Sequence, residues 1–419
     1  MKPVKIKHPL LKTLVGLRGN PRVCVYTEPM WGLSMALCLP YASVYMLALG
    51  LSDLQVGIVA SIYMFSQMIF SLLSGVITDK YGRRKTTAIM DFIAYSVPCL
   101  IWASAQGFGF FAIAALLNGA MKVSVVSWDC LCIEDADKNK IGHIYTWITI
   151  CGNLSALFAP IAAVLVAKLT LIPAVRLLYI NAFVIMTAKL LILYKCSRET
   201  RTGMIRRAET AGKTWGELIG GYKNVLKLML TSRVMVFSIV ISVFVEISVM
   251  IASTFWQIIA SRRIGVPDAL LPMLPMVKSM IAIVFMFTLM GRMEQSKMKN
   301  PLLIGFLFSA LSSVILIVIP GTSAIGYMLL IASLALDAFG TSMLNVVRET
   351  LVGLYANEGE RSRVLALLQS MVMLISIPFG YICGALSEAS RTYPFVLNIV
   401  ILGLGVSVSL WHFRKDAIG

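Results

Sequence analysis

The chain has 419 residues, of which 58% are hydrophobic and only 14% are charged, and its mean hydropathy is +0.84. A soluble domain carries about a quarter charged residues, so this composition excludes an ordinary soluble enzyme or binding domain. The net charge of +17 would indicate nucleic-acid binding only if lysine and arginine clustered on one folded face, whereas they collect in alternate loops. We therefore expect a lipid bilayer around the chain and no nucleic-acid partner.

Twelve apolar runs follow one another, and each is long enough for a helix that crosses about 30 Å of hydrocarbon. They predict an all-α integral membrane protein with twelve transmembrane helices in two pseudo-symmetric six-helix bundles around a central cavity. The predicted spans are 25–49, 54–78, 86–106, 109–132, 143–168, 172–195, 235–260, 268–291, 300–320, 324–353, 362–386 and 392–413.

A polar segment after the sixth run divides the chain into three predicted parts. These are an amino-terminal six-helix bundle (1–195), a cytoplasmic linker with an interfacial helix (196–233), and a carboxy-terminal six-helix bundle (234–419). Thr214 is expected to cap the interfacial helix. The first run is too long for the apolar part of a signal peptide, so we expect it to remain as the first span.

Positive charges predict the orientation of the chain. Lysine and arginine are frequent in the amino-terminal segment, in the loop between the second and third spans, and in the middle segment, whereas loops 106–108 and 321–323 carry none. Because positively charged loops stay inside, we predict a multi-pass protein of the cell (plasma or inner) membrane with both termini cytoplasmic. A faint repeat, in which the charged stretches 134–140 and 357–363 follow the fourth and tenth spans, indicates two related halves.

The most specific motif is the loop between the second and third predicted spans, which reads GVITDKYGRRK over residues 75–85. It resembles the signature G-x-x-x-D-[RK]-x-G-R-[RK] of the major facilitator superfamily in spacing and in position within a twelve-span chain. The resemblance implies a secondary transporter that works by alternating access, with this loop latching the two halves in the outward-facing state. The alternative is a positively charged cytoplasmic loop without a switching role. The latch residues would be Gly75, Asp79, Gly82, Arg83, Arg84, Glu134 and Asp135.

Individual residues of this loop carry structural expectations. Gly75 follows Ser71 by one turn, which predicts a face of small residues where the second helix approaches a neighbour closely. Asp79 is expected to accept backbone amides at a helix start, and Gly82 permits a turn that a side chain would obstruct. Arg83 is expected to bridge to the acidic end of the fourth span.

Other patterns typical of this superfamily are incomplete. The corresponding loop of the second half, residues 291–297, has largely lost the motif, so we expect an asymmetric latch, which Asp91 is expected to join. Drug antiporters keep an arginine in the fourth span where this chain has Ala115. The fifth span keeps Pro160 of the antiporter pattern G-x-x-x-G-P-x-x-G-G but not its glycines, which favours antiport only slightly.

Ionisable side chains within the predicted spans mark a candidate transport site. A charged side chain at the bilayer centre costs about 2.5–3.5 kcal/mol on insertion scales, so each one requires a partner, water or a function. The first, fourth, seventh and tenth helices line the cavity in the superfamily that this chain resembles, and each carries such a charge. The candidate cavity residues are Glu28, Lys122, Glu246, Lys278, Asp337 and Asn345.

These residues favour coupling to protons. Burial disfavours an ionised carboxylate, so Glu28, Glu246 and Asp337 are expected to exchange protons. Lys122 is expected either to hold an anionic substrate or to act as a counter-charge. No G-x-x-x-x-G-K-[ST] motif for a nucleotide occurs. Glu28 lies near a helix end and Lys278 has a long flexible stem, so reaching out to water is the alternative for both.

Together these patterns predict a proton-coupled transporter of a small organic solute, with a slight preference for efflux or antiport. The alternatives are proton-coupled uptake of an anionic solute, a flippase for an amphiphile or lipid, and, least favoured, a membrane sensor. An enzyme is not expected, because the three histidines lie near the predicted cytoplasmic edge and not in an intramembrane cluster. We expect no cofactor and no metal site, and a monomer.

Overall fold

The computed structural model describes residues 9–220, 222–288, 299–355 and 361–416, and most of these residues are helical. Within these ranges, twelve long helices, α1 to α12, follow one another. They are α1 (Gly19–Ala48), α2 (Asp53–Tyr81), α3 (Arg83–Ala103), α4 (Phe108–Ile133), α5 (Ile141–Leu169), α6 (Leu171–Cys196), α7 (Arg233–Ile264), α8 (Met273–Thr288), α9 (Lys299–Val318), α10 (Ala324–Tyr355), α11 (Arg361–Ala389) and α12 (Tyr393–Asp416).

Length and apolarity confirm the predicted helical membrane architecture. Eleven of these helices are long and apolar enough to cross a bilayer. The exception is α8, of which 16 residues are described, and the end of the predicted span 268–291 lies outside the described residues. Large apolar side chains such as Val318 and Ile325 are about two-thirds exposed, at 66% and 67%. An aqueous protein would bury such a surface, so these faces are suited to contact with lipid.

The linker between α6 and α7 contains three short helices, Arg201–Thr210, Trp215–Ile219 and Tyr222–Thr231. The predicted cap is confirmed, because the Thr214 hydroxyl accepts the Glu217 amide and the Glu217 carboxylate accepts the Thr214 amide. The predicted single interfacial helix is described as two helices. Lys80 of α2 lies over the ring of Trp215, 4.9 Å from its centroid, which places this part of the linker beside the end of α2.

The long helices pack in two groups. In the first group α1 packs on α4, α5 and α6, while α3 packs on α4 and α6. In the second group α9 packs on α10 and α12, while α7 packs on α10, α11 and α12. Between the groups α2 lies along α11, and α1 and α5 touch α7 and α8. This packing is compatible with the predicted division into 1–195 and 234–419, whose boundaries stay a prediction.

Glycines bring the backbones of α2 and α11 into direct contact. A Cβ built on Gly57 would overlap Gly380 and would lie 2.8 Å from the Cα of Gly384. The two glycines of α11 are one turn apart, so they form a small-residue face on which α2 can lie closely. The predicted close approach at Gly75 is wrong, because a Cβ there would meet nothing within 4 Å. The close contact lies at Gly57 because that is where α11 presents glycines.

A serine of α2 also enters the backbone hydrogen bonding of α11. The Ser61 hydroxyl donates to the Ile377 carbonyl at 2.7 Å and accepts from the Tyr381 amide at 3.0 Å. These two backbone groups are four residues apart, the spacing at which a helix pairs them with each other. Pro378 lies between them and lacks an amide hydrogen. The hydroxyl therefore takes part in this backbone pair directly beside the proline, where a helix commonly bends.

Polar contacts join the helix groups at one end of the molecule. The end that carries the loop of residues 75–85 is called the latch end below, and the opposite end, where these contacts lie, is called the far end. The Gln257 side chain of α7 donates to the Leu39 carbonyl at 3.0 Å and accepts from the Ser43 amide at 3.1 Å. Asp53 at the start of α2 accepts a hydrogen bond from Ser387 at 2.6 Å and lies 3.4 Å from Arg391. The two groups are thus connected by hydrogen bonds at the far end.

The close contact between α2 and α11, called the seam below, can be tested by substituting two glycines of α2. We expect Gly57→Ala to destabilise the protein by about 1–3 kcal/mol, because its methyl group meets the backbone of α11. Gly75→Ala is the matched control and should leave stability unchanged or slightly raised, since its methyl group has open space. Thermal unfolding of the purified proteins in detergent measures both. Equal melting temperatures for the two variants would contradict the proposed packing.

Candidate functional site

A buried arginine organises the latch end of the first helix group. Arg83, at the start of α3, is 4% exposed. Its guanidinium lies 2.9 Å from the Asp79 carboxylate, one turn away on α2, and donates through Nε to both oxygens of Glu134 at 3.1 and 3.2 Å. The predicted contact between Arg83 and Glu134 is present. Hydrogen bonds between charged groups are about twice as strong as neutral ones, so α2, α3 and α4 are firmly joined here.

A glutamate from outside the motif caps α3. The Glu199 carboxylate accepts the backbone amides of Arg83 at 2.9 Å and Arg84 at 3.2 Å. Gly82 between the helices has a φ of +85°, and a Cβ there would overlap the same carboxylate. The expectation that Asp79 accepts these amides is therefore wrong, since Asp79 binds the Arg83 side chain and Glu199 accepts the amides. The role of Glu199 could not be predicted from the sequence, because Glu199 lies 116 positions from Arg83.

The start of the linker completes this cluster. The Thr200 hydroxyl donates to Glu134, and the Arg201 amide donates to Asp135 at 3.4 Å. Arg84 donates to the Tyr194 carbonyl at 2.9 Å, and its guanidinium lies 4.2 Å from the centroid of the Tyr194 ring. These contacts join α3 and α4 to the end of α6 and the linker. The loop of the second half, residues 291–297, lies outside the described residues.

A second buried cluster lies deeper in the first helix group. The Lys189 ammonium of α6 is 4.0 Å from the Glu28 carboxylate of α1 and 3.9 Å from the Asp91 carboxylate of α3. Ser124 of α4 donates to the other oxygen of Asp91. Asp91 was expected to join the latch, which is wrong, because α3 carries it two turns away from Arg83. Lys189 was absent from the sequence-based candidates, and its only signal was a lysine within an apolar run.

A third cluster brings charges of both helix groups together. The Arg348 guanidinium of α10 is 3.5 Å from the Glu246 carboxylate of α7. Lys122 of α4 lies within electrostatic range of both residues, without a direct ion pair to either. Tyr63 of α2 lies close enough for its hydroxyl to interact with Glu246 as well. Lys122, Glu246 and Arg348 are called the central charged group below.

The remaining predicted site residues lie on α10, α8 and α1. Lys278 of α8 forms an ion pair with Asp337 of α10, whose backbone carbonyl accepts a hydrogen bond from Thr341 at 2.6 Å. Asn345 is partly exposed and lies on α10 between this ion pair and Arg348. Of the six predicted cavity residues, Lys278 and Asp337 form an ion pair, and Glu246 pairs with Arg348 within electrostatic range of Lys122. Glu28 belongs to the buried cluster with Lys189.

Comparison with known proteins places these features in a family context. The profile described as Major Facilitator Superfamily matches residues 30–334. A segment of 194 residues is 25% identical to the "Multi-drug resistance efflux pump PmrA" of Streptococcus pneumoniae serotype 4, and it covers 43% of this chain and 46% of that relative. The chain therefore matches about half the length of this relative.

Solved structures share the fold across nearly the whole chain. The nucleoside transporter NupG has a TM-score of 0.69 at 14% identity, covering 95% of this chain and 99% of its own. A D-xylose-proton symporter has a TM-score of 0.70 at 15% identity, covering 93% and 96%. At such low identity the similarity shows the fold of these transporters and not their substrates.

The cap on α3 predicts unequal roles for two glutamates of the linker. We expect Glu199→Gln to lower stability by about 1–2 kcal/mol, because glutamine keeps one acceptor oxygen and turns its NH₂ toward the second amide. Glu209→Gln is the matched control, with an expected loss below about 0.5 kcal/mol, since Glu209 and its partner Arg206 are both exposed. Thermal unfolding in detergent provides the comparison. A larger effect at Glu209 would contradict the assigned cap.

Proposed function

Because this chain belongs to the major facilitator superfamily, we propose that it moves a small organic solute by alternating access and couples this movement to protons. The central charged group carries the proposal. Lys122 comes from the first helix group, whereas Glu246 and Arg348 come from the second. A solute bound there touches both groups, so its binding changes the balance between the arrangements in which the groups face one side or the other.

The charges of this group link a proton to a solute. Ionised Glu246 neutralises Arg348 and acts on Lys122. A proton and a cationic or hydrogen-bond-donating group of the solute compete for the Glu246 carboxylate, as exchange of one for the other requires. For an anionic solute, the same proton would instead free Arg348 and Lys122 to bind it. Asp337 repeats the arrangement with Lys278, and Asn345 adds an uncharged hydrogen-bonding side chain on the same helix. We assign these five predicted residues, with Arg348, to the substrate and proton site.

We propose efflux by antiport as the direction. It is supported by Pro160 in α5, which survives from the antiporter pattern, and by the name of the pneumococcal relative. Uptake of an anionic solute is the second candidate, and Lys122 favours it. Two cations face one carboxylate in the central charged group, and no hydrogen bond or ion pair within 4 Å joins Lys122 to another described residue. The extra positive charge suits a substrate carboxylate or phosphate.

We propose that the latch end faces the cytoplasm of the cell membrane, in a monomeric protein. The positive charge of this end, in loop 79–85 and in the linker, supports the orientation. The proposed conformational latch comprises Gly75, Asp79, Gly82, Arg83, Arg84, Glu134 and Asp135. Opening the far end requires the hydrogen bonds and ion pair of Gln257 and Asp53 to break.

Reconstituted protein tests the coupling. Proteoliposomes that enclose a pH-sensitive dye receive nucleosides, sugars, small peptides, organic anions and lipophilic cations in turn. We expect one of these classes of compound to change the pH inside the proteoliposomes when it is transported. Glu246→Gln and Asp337→Asn should reduce this proton flux by about tenfold or more, which corresponds to about 1.4 kcal/mol in the barrier, while both retain exchange of labelled solute.

The control for these variants is Glu388→Gln, which removes an exposed carboxylate of α11. It should transport like the unchanged protein. Exchange of a solute without any response to an imposed pH gradient would overturn proton coupling. Unchanged proton flux in both site variants would remove Glu246 and Asp337 from the site, and transport confined to organic anions would favour the second candidate.

A further inference from the structure

The cluster of Glu28, Lys189 and Asp91, called the buried triad below, is almost fully withdrawn from the surface. Its three residues are 8%, 4% and 3% exposed, in the order given. They come from α1, α6 and α3, and each lies seven to nine residues from the latch end of its helix. That spacing corresponds to a common depth of about 10–14 Å along the helices. The triad is therefore one site at one level, built by three helices.

The hydrogen bonding of the buried triad is incomplete. Ser124 donates to Asp91 Oδ1, but Asp91 Oδ2 is buried without a hydrogen-bond partner. The Lys189 ammonium lies 3.9 Å from this oxygen and 4.0 Å from Glu28, too far for a hydrogen bond to either. It also lies over the ring of Trp128, 5.9 Å from the centroid. The lysine thus stands midway between two carboxylates, in an ion pair with each and without a hydrogen bond to either.

The charges of the buried triad do not balance. Two ionised carboxylates and one ammonium carry a net charge of −1, which is costly within apolar helices. The other titratable groups that act on the triad are Cys24, Cys151 and Tyr95. Thiols and phenols are uncharged at neutral pH, so these groups supply no positive charge. One additional proton makes the triad neutral, and Asp91 Oδ2 is a buried oxygen free to share it.

We propose that the buried triad is a proton-binding site, separate from the central charged group, that holds one proton between Glu28 and Asp91. The proton is the ligand, and Lys189 pairs with whichever carboxylate is ionised. No bond other than O–H forms or breaks, and the proton comes from and returns to water. The proposal that the triad binds a proton does not depend on the function proposed above, whereas the coupling of this proton to transport rests on it.

A polar face of α3 connects this site to the latch. Arg83, Thr87 and Asp91 are spaced by four residues and therefore share one face of the helix. Each contacts α4, through Glu134, Ser127 and Ser124 in that order. Movement of Lys189 away from Asp91 changes the force on the same face that carries Arg83. A proton on the triad therefore acts on the latch through a rigid helix and not through the substrate site.

Infrared difference spectroscopy of the full chain in lipid membranes counts the protons. The C=O stretch of a protonated carboxyl group is compared at neutral pH between the unchanged protein and its variants. We expect one protonated carboxyl in the triad of the unchanged protein, none in Glu28→Gln or Asp91→Asn, and two in Lys189→Met. Asp137→Asn, which removes an exposed carboxylate outside the membrane helices, should leave the band unchanged.

The amide variants should weaken the carboxyl band and Lys189→Met should strengthen it, so the two kinds of variant test the site in opposite directions. An unchanged band in both amide variants, or no increase in Lys189→Met, overturns the site. If Lys189→Met does not fold, Glu28→Gln combined with Lys189→Met decides, because Asp91 alone should hold one proton and match the unchanged protein. A missing band in that double variant also overturns the proposal.

The coupling role is measured separately in the dye-filled proteoliposomes. Glu28→Gln and Asp91→Asn should keep solute exchange and lose the response to an imposed pH gradient. A full response in both variants, with the expected proton counts, would overturn the coupling role. If the unchanged protein itself shows no proton-driven transport, the proposed function fails, while the infrared count still decides whether the triad binds a proton.

Discussion

The arrangement of the helices depends on one constraint: an ionised side chain inside an apolar helix must find its partner on another helix. Leucine and isoleucine gain little by leaving lipid for a neighbouring helix, so apolar packing alone does not decide which helices are adjacent. Charges do decide it. Arg83 requires the end of α4, and Lys189 requires both α1 and α3. The first helix group is thus specified by a few electrostatic contacts that the surrounding apolar surface makes strong.

The contact between the groups has a different chemistry from the contacts within the first group. Within it, α3 and α4 are joined by an ion pair and two side-chain hydrogen bonds. Along the seam, α2 meets α11 through glycines and through serine hydroxyls that bind backbone carbonyls. Such contacts fix a close distance but involve few charges, so sliding along the seam costs less than separating α3 from α4. This difference is what a rigid-body motion of one group against the other requires.

Sequence alone predicted the parts of this structure that depend on local pattern. Apolar length predicted the helices, and the motif predicted the family and the contact of Arg83 with Glu134. The residues that the sequence did not predict are defined by tertiary contacts. Glu199 caps a helix from 116 positions away, and Lys189 is a site residue only because carboxylates of two other helices lie beside it. Gly75 was misread for the same reason, since a glycine permits close approach but only the neighbouring helix decides where it occurs.

The magnitudes explain how one proton can influence a whole transporter. Removing one partner from a buried ion pair costs about 3–5 kcal/mol. Moving a two-state equilibrium from 1:99 to 99:1 requires about 5.5 kcal/mol of difference between the states. A single proton on the buried triad is therefore of the right order to move the equilibrium most of this distance, provided that the triad differs between the states. The face of α3 would transmit such a difference, because Asp91 and Arg83 lie on one helix and Arg83 is bound by α2 and α4 together.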